Sequence, residues 1–221
     1  MERRVRMKNM KELRRDCGQF KLPIKILQKI TKEVKLLDVG NDDGTNEITE
    51  YFPNNIKYEN LDIKKGSTIK HNLDNFPIPI PDNTHNIIMC LETLEHTLYP
   101  HKVMEELIRI SKPKAMFLVS MPNEYNFWCR FKFLLGKKTM VQEPFRVVEK
   151  HLHIQLPRVK DIIEFYGTYL DIEEIDYQWY STRSAYNNKF LLKIIDNVIN
   201  YLAKIFPSLF ARSVIIYGVK K

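Results

Sequence analysis

Six residues near position 40 have the types and spacing of a ligand-binding turn. They are two glycines and four carboxylates, Gly40, Gly44, Asp38, Asp42, Asp43 and Glu47. Glycine lets the backbone approach a ligand closely, and a helix that starts after the turn offers free N–H donors. The turn lacks the G-x-G-x-x-G pattern of pyrophosphate sites and the Gly-Lys-Ser/Thr ending of a P-loop. Its acidity disfavours phosphate and favours a ligand with positive charge.

S-adenosylmethionine (SAM) fits that charge pattern, because it carries a sulfonium and an ammonium but no phosphate. Asp62 strengthens this interpretation, since it follows the second predicted strand, Ile56–Leu61, about twenty residues beyond the turn. An acid at the tip of the neighbouring strand is the usual partner of ribose hydroxyls. Residues 71–74 then lie where a loop could reach a bound base. The alternative is an ordinary strand-to-helix loop of an α/β protein.

Three histidines are candidate catalytic residues. His96 follows the fourth predicted strand, at the carboxyl edge where open α/β sheets bind ligands, and would act as a general base if an acceptor must lose a proton. His151 and His153 are the next candidates, and the alternative for His96 is an anchor for its loop. The alternation of His151 and His153 is typical of a strand, but no third ligand at metal spacing accompanies them, so we expect no metal site.

Hydrophobic periodicity predicts alternating strands and helices. The strands are expected at 35–39, 56–61, 67–70, 86–91, 115–120, 172–180 and 213–219, and the helices at 24–30, 45–52, 100–111, 157–166 and 186–206. The link of residues 63–66 is too short for a normal parallel crossover, which needs roughly a dozen residues. Either the second and third strands are not standard parallel neighbours, or their crossover is a bare loop.

The ordered motifs resemble one superfamily. They are Leu37-Asp-Val-Gly-x-x-x-Gly44, Asp62, Asn72-Leu-Asp74, Pro81-Asp-Asn83, Glu92-x-Leu-Glu-His96, Lys112-Pro113 and Ser120-x-Pro-Asn123. This series is similar to the class I SAM-dependent methyltransferases, particularly the small-molecule branch with E-x-L-E-H after the fourth strand. The chain departs from that branch at Asp42, which replaces a middle glycine, and at Lys114-Ala115, which replace Gly-Gly.

The resemblance implies a Rossmann-like α/β fold. Its seven-stranded, mostly parallel sheet would have an antiparallel last strand and helical insertions after strands five and six. It also implies SAM as the cofactor. The cofactor-binding residues that we predict are Asp38, Gly40, Asn41, Gly44, Asp62, Asn72, Leu73, Leu91 and Glu92.

Charge divides the 221-residue chain into two parts. The net charge is +8, and residues 1–35, with twelve Lys/Arg against four Asp/Glu, account for all of it. We therefore predict a basic N-terminal helical segment at 1–33 and a methyltransferase domain at 34–221. A basic arm could touch nucleic acid, anionic lipid or an acidic partner, and the alternative is a solvated helix face.

Composition also limits the location and the partners. The apolar runs are too short to span a bilayer, and no apolar stretch follows the basic start as in a signal peptide. Three widely spaced cysteines suit a reducing cytoplasm and argue against disulfides or a cysteine zinc site. Contact with a membrane surface stays open through the broad apolar face of residues 186–206. The sequence carries no signal for the oligomeric state.

These features predict SAM-dependent methyl transfer to a small-molecule acceptor, with lipid and glycan intermediates as candidates. Residues 124–155 and 186–206 are expected to cap the acceptor side, with an apolar pocket lined by residues such as Tyr125, Trp128 and Phe190. One alternative is a non-catalytic relative in which Asp42 spoils the turn. The other is an RNA-modifying methyltransferase guided by the basic arm, so nucleic acid is a less favoured partner.

Overall fold

The computed structural model describes residues 20–41, 48–137, 147, 152–179 and 190–221, with the backbone alone at 190–194. Asp42, Gly44, His151 and the side chain of Phe190 therefore lie outside the described part of the chain. So do residues 45–47, the start of the helix predicted at 45–52. Within residues 48–52 the structure has a 3-10 turn, Thr49–Tyr51, and the chain becomes extended at Phe52.

Seven strands form one sheet. They are β1 (Val34–Val39), β2 (Ile56–Asp62), β3 (Ile69–Lys70), β4 (His85–Leu91), β5 (Ser111–Pro122), β6 (Leu170–Gln178) and β7 (Ser213–Lys220). Their spatial order is β3-β2-β1-β4-β5-β7-β6. The pairs from β3 to β5 are parallel, whereas β7 is antiparallel to both β5 and β6. The predicted Rossmann-like sheet with an antiparallel last strand is confirmed.

Helices flank this sheet and connect its strands. They are α1 (Lys21–Leu27), α2 (Pro100–Ile110), α3 (Phe127–Leu134), α4 (Val159–Tyr169), α5 (Phe190–Ile205) and α6 (Pro207–Phe210). A further 3-10 turn, Leu94–His96, follows β4. The insertions predicted after strands five and six contain α3 and α5. No helix in the described ranges is both long enough and apolar enough to cross a bilayer.

The sheet explains the short link between the second and third strands. β3 has only two residues and pairs in parallel with the end of β2, Leu61 opposite Ile69 and Asp62 opposite Lys70. The crossover is therefore a bare loop, which was one of the two alternatives. Because β3 pairs only with the last two residues of β2, the loop between them stays close to the carboxyl edge of the sheet.

Several predicted boundaries are wrong. Helix α1 covers Lys21–Leu27 instead of 24–30, and β6 covers Leu170–Gln178 instead of 172–180. Helix α4 continues through Gly167 to Tyr169, because its apolar face carries on beyond the glycine and Tyr166 is fully buried. Strand β5 begins at Ser111, directly after α2, instead of at Ala115. Its pairing with β4 shifts between Ser111 and Met116, so Lys114, with a φ of +60°, lies in a bulge.

The core lies on both faces of the sheet. Ile88 and Cys90 of β4 point to one face, packed by α2 and α4, while Ile87 and Met89 point to the other face. The second face is covered by the buried side chains of α1 and by Tyr51 and Phe52. The boundary predicted at residue 33 therefore falls between a helix and the sheet on which it packs. Burial on both sides holds β1 and β4 firmly, so their carboxyl ends are fixed points for a site.

Candidate active site

A cleft of about 740 Å³ opens at the carboxyl ends of β1, β2 and β4. This is the edge at which open α/β sheets bind their ligands. Its walls are Gly40, Asp62, Ile63, Lys64, His71, Asn72, Leu73, Asp74, Asn75, Glu92, Thr93, His96, Thr97, Leu98, Tyr99 and Ile154. Six predicted site residues therefore line one space, namely Gly40, Asp62, Asn72, Leu73, Glu92 and His96.

Gly40 is the first residue after β1, and only glycine fits there. Its φ is +75°, and a Cβ added to it would lie 2.2 Å from Cγ2 of Thr93. Thr93 is itself fixed, because its hydroxyl lies 3.1 Å from the carbonyl of Val39 and 3.0 Å from that of Leu91. The ends of β1 and β4 are thus joined directly beneath the glycine, and the backbone forms the wall of the cleft.

Asp38 and Asn41 lie beneath the turn instead of lining the cleft. The buried carboxylate of Asp38 accepts hydrogen bonds of 2.7 Å from the Tyr58 hydroxyl and from Nδ2 of Asn41. Burial raises the pKa of Asp38 to about 6. Leu91, another predicted cofactor residue, packs against the core on the α1 side. These three residues support the site from below.

Asp62 ends β2, and its carboxylate is held in place at the cleft. Its Oδ1 accepts a hydrogen bond of 2.9 Å from the backbone N–H of Lys64, and its carbonyl accepts one from the N–H of His71. The next loop is tied across the cleft, because Oδ1 of Asp74 accepts a 2.9 Å hydrogen bond from the N–H of Leu98. This loop places Asn72 and Leu73 in the same wall of the cleft as Asp62.

Glu92 follows β4 in a left-handed backbone conformation, with a φ of +49°. Its Oε1 accepts hydrogen bonds from the hydroxyls of Ser213, at 2.5 Å, and Ser120, at 3.2 Å. Burial raises the pKa of this carboxyl group. Since non-glycine residues rarely adopt a positive φ, the local strain at Glu92 is compensated by these contacts with β5 and β7.

Two histidines and two glutamates meet at the end of β4, and we call Glu95, His96, Glu124 and His153 the His–Glu cluster. Oε1 of Glu95 lies 3.9 Å from Nε2 of His96 and 4.0 Å from Nε2 of His153. The two rings pack edge to face with centroids 4.8 Å apart. On its other side, Nδ1 of His153 donates to Oε1 of Glu124 at 2.5 Å.

The backbone locks the cluster together. The carbonyl of Glu95 accepts hydrogen bonds from Ile154, at 2.8 Å, and from Gln155, at 3.0 Å, so the segment that carries His153 is fixed to the end of β4. Glu95 is fully buried, whereas the His96 side chain is 37% exposed and reaches the cleft. His96 is therefore the member of the cluster that a bound molecule can touch.

Sequence reasoning missed Glu95 and Glu124 as site residues. Glu95 was visible inside the Glu92-x-Leu-Glu-His96 motif, but its burial was not. Glu124 carried no signal in the sequence. The spacing of the histidines along the chain indicated no third ligand, but in the structure Glu95 and His96 lie beside His153.

Only part of the predicted acceptor segments reaches the cleft. Ile154 lines the cleft, but the side chains of Tyr125 and Trp128 are exposed and lie outside it. The described side chains of α5 also lie outside it. A second cleft of about 880 Å³ forms between α3, α4, β6 and the end of α5, with Arg130, Arg158, Ile163, Tyr177, Ile205 and Phe206 among its walls.

Comparison with known families identifies the class. Residues 9–171 match the family described as a methyltransferase domain. The match spans well over half of the chain, so the protein belongs to this family. The resemblance to the class I methyltransferases is thereby confirmed, and the comparisons support SAM as the cofactor. A comparison with curated protein sequences gave no match.

Solved structures share the fold at low sequence identity. A SAM-dependent methyltransferase from Mesorhizobium loti is 10% identical with a TM-score of 0.58, over 93% of this chain and 99% of that one. A SAM-dependent methyltransferase from Thermotoga maritima, described as a possible histamine N-methyltransferase, is 11% identical with a TM-score of 0.57, over 94% and 91%. The [4+2]-cyclase SpnF is 13% identical with a TM-score of 0.55, over 93% and 81%. At these identities the likeness concerns the fold alone.

Proposed function

We propose that the protein transfers a methyl group from SAM to a hydroxyl group of a small-molecule acceptor, such as a lipid or glycan intermediate. One observation carries the proposal. A single cleft at the carboxyl edge of the sheet brings Gly40 and Asp62 into the same space as the exposed imidazole of His96. Two predicted cofactor-binding residues and a candidate proton acceptor thus line the same cleft.

The residues present fit the cofactor. The carboxylate of Asp62 can accept both hydroxyl protons of a ribose, and the Lys64 N–H holds it in the cleft. Gly40 leaves no side chain between the backbone and a ligand, while Asn72 and Leu73 line the wall where a base would lie. SAM supplies an electrophilic methyl group on its sulfonium when bound. Asp62, Glu92 and Asp74 make the walls partly acidic, which suits a cationic ligand.

The chain's own residues have two tasks in such a reaction. The cleft holds the acceptor in line with the methyl group, and positioning supplies much of the rate in a displacement of this kind. The His–Glu cluster removes the hydroxyl proton. His96 is the member within reach of the cleft, and the buried carboxyl group of Glu95 lies 3.9 Å from its Nε2 atom.

An apolar portion of the acceptor would explain the exposed apolar surface of α3, the helix that begins three residues after Glu124. Helix α3 has no buried residue, and it exposes Phe127, Trp128, Phe131 and Leu134 next to Arg130 and Lys132. Apolar side chains with interspersed cations suit an amphipathic molecule with an acidic head group. This observation favours a lipid-linked acceptor over a small polar metabolite.

The test is methyl transfer from SAM with a radiolabelled methyl group into an extract of cells that contain the protein. We expect enzyme-dependent label in the organic-soluble fraction, and label that is absent with Asp62→Ala. Label found in RNA would instead support the RNA-modifying alternative. No label in any fraction, despite SAM binding, would contradict the proposed function and favour a non-catalytic relative.

A further inference from the structure

We infer that Glu95, His96 and His153 form a binding site for one first-row divalent metal ion, with Glu124 orienting His153 from behind. One atom from each of the three ligands lies within 4.8 Å of the others. Two imidazoles and one carboxylate are a ligand set that binds Mn²⁺, Fe²⁺, Co²⁺ or Zn²⁺. The inference deepens the proposed function, because His96 faces the same cleft.

The buried carboxylate of Glu95 is the strongest reason to expect an ion. Both of its oxygens are buried and have no hydrogen-bond partner among the residues that the structure describes. A buried polar group without a partner costs roughly 1–3 kcal/mol, and more when it is charged. A cation would satisfy both oxygens and remove this penalty.

The tautomer of His153 points the same way. Its Nδ1–H donates to Glu124, so the lone pair of Nε2 is free to face Glu95, 4.0 Å away. A carboxylate that holds the far nitrogen of a histidine is the usual support of a metal-binding imidazole, because it fixes the ring and raises its basicity. Glu124 is itself buried, so this support is rigid.

The spacing requires only a small contraction. Bonds of about 2.1 Å to each ligand place neighbouring donor atoms about 3.0–3.4 Å apart. The present distances from Glu95 Oε1 to the two Nε2 atoms are 3.9 and 4.0 Å. All three donor atoms lie within 4.8 Å of one another, so side-chain shifts of about 1 Å would bring them to this spacing. The backbone at Glu95 is already fixed by its hydrogen bonds with Ile154 and Gln155.

Three protein ligands leave at least one coordination position open. Because His96 lines the cleft, that position would face a bound acceptor, whose hydroxyl oxygen could occupy it. A metal ion lowers the pKa of a bound hydroxyl group. In that arrangement His96 would act as a metal ligand, the ion would favour loss of the hydroxyl proton, and the proton would pass to water in the open cleft.

The test is a titration of chelator-stripped full-length protein with Co²⁺, followed by visible absorption and by calorimetry. We expect one Co²⁺ ion per chain, with ligand-field bands that disappear when Zn²⁺ displaces the Co²⁺. His153→Ala and Glu95→Gln should each weaken Co²⁺ binding at least tenfold, and Glu124→Gln should weaken it by roughly 10-fold to 100-fold. His101→Ala is the matched control, because His101 is an exposed histidine bonded to Tyr169.

Stoichiometric binding that survives Glu95→Gln and His153→Ala would overturn the inference, and so would the absence of any binding above that of surface histidines. Thermal unfolding of each variant shows whether it is folded. S-adenosylhomocysteine binding to the stripped protein is measured alongside. A protein that binds this cofactor product but no metal refutes the metal site alone, while the reverse result refutes the proposed function alone.

Discussion

Gly40→Ala is expected to lower the free energy of unfolding by about 2–4 kcal/mol and to weaken S-adenosylhomocysteine binding at least a hundredfold. The φ of +75° costs a residue with a side chain about 1 kcal/mol, and overpacking adds about 1–3 kcal/mol. The added methyl group would lie 2.2 Å from Thr93, so either the turn or the end of β4 must move. Both form the cleft wall, so the affinity for S-adenosylhomocysteine should fall together with the free energy of unfolding.

Gly136→Ala is the matched control for this effect. Gly136 has a φ of +65°, but an added Cβ there meets nothing within 4 Å. It should therefore lose only the conformational cost of about 1 kcal/mol and bind the ligand normally. Urea unfolding and calorimetry measure both quantities. Equal destabilisation by the two substitutions, with binding intact in Gly40→Ala, would show that the contact with Thr93 does not shape the site.

His96→Ala is expected to lower the rate of methyl transfer at saturating substrate by at least about a hundredfold, while the affinity for S-adenosylhomocysteine changes less than twofold. Loss of a general base or of an activating metal ligand reduces the rate by about 10²–10⁴. The cofactor contacts that we propose, at Gly40 and Asp62, lie on other strands. The substitution should therefore separate catalysis from binding.

The assay is the labelled methyl transfer described above, with His101→Ala as the control outside the cleft. Rate and affinity falling together in His96→Ala would make His96 a cofactor contact or an anchor of its loop. An unchanged rate would show that the His–Glu cluster has no role in methyl transfer. The Co²⁺ affinity of the same variant then distinguishes a base from a metal ligand.

The sheet could be predicted from sequence because its signals are local. Ile87 to Leu91 is apolar throughout, which is typical of a strand buried on both faces, and β4 is such a strand. Gly40 and Asp62 follow strands directly, so their place at the carboxyl edge needed no knowledge of packing. Boundaries failed where tertiary contacts override local preference, as at Gly167, where the buried Tyr166 carries α4 onward.

The His–Glu cluster could not be predicted in full, because it joins two segments that are far apart in sequence. His153 meets Glu95 through backbone hydrogen bonds between residues nearly sixty positions apart, and such pairings leave no periodic trace. Burial also decided roles that residue types left open. Asp38 and Asp62 are both acids near the turn, yet Asp38 supports it from below while Asp62 lines the cleft.

The central claim is that the cleft between Gly40, Asp62 and His96 binds SAM. Its most direct test is a calorimetric titration with S-adenosylhomocysteine of the wild-type protein and of Asp62→Ala. We expect saturable binding with one site per chain, weakened at least tenfold by the substitution, which corresponds to about 1.4 kcal/mol. No heat and no thermal shift at millimolar ligand, or equal affinity in Asp62→Ala, would contradict the claim.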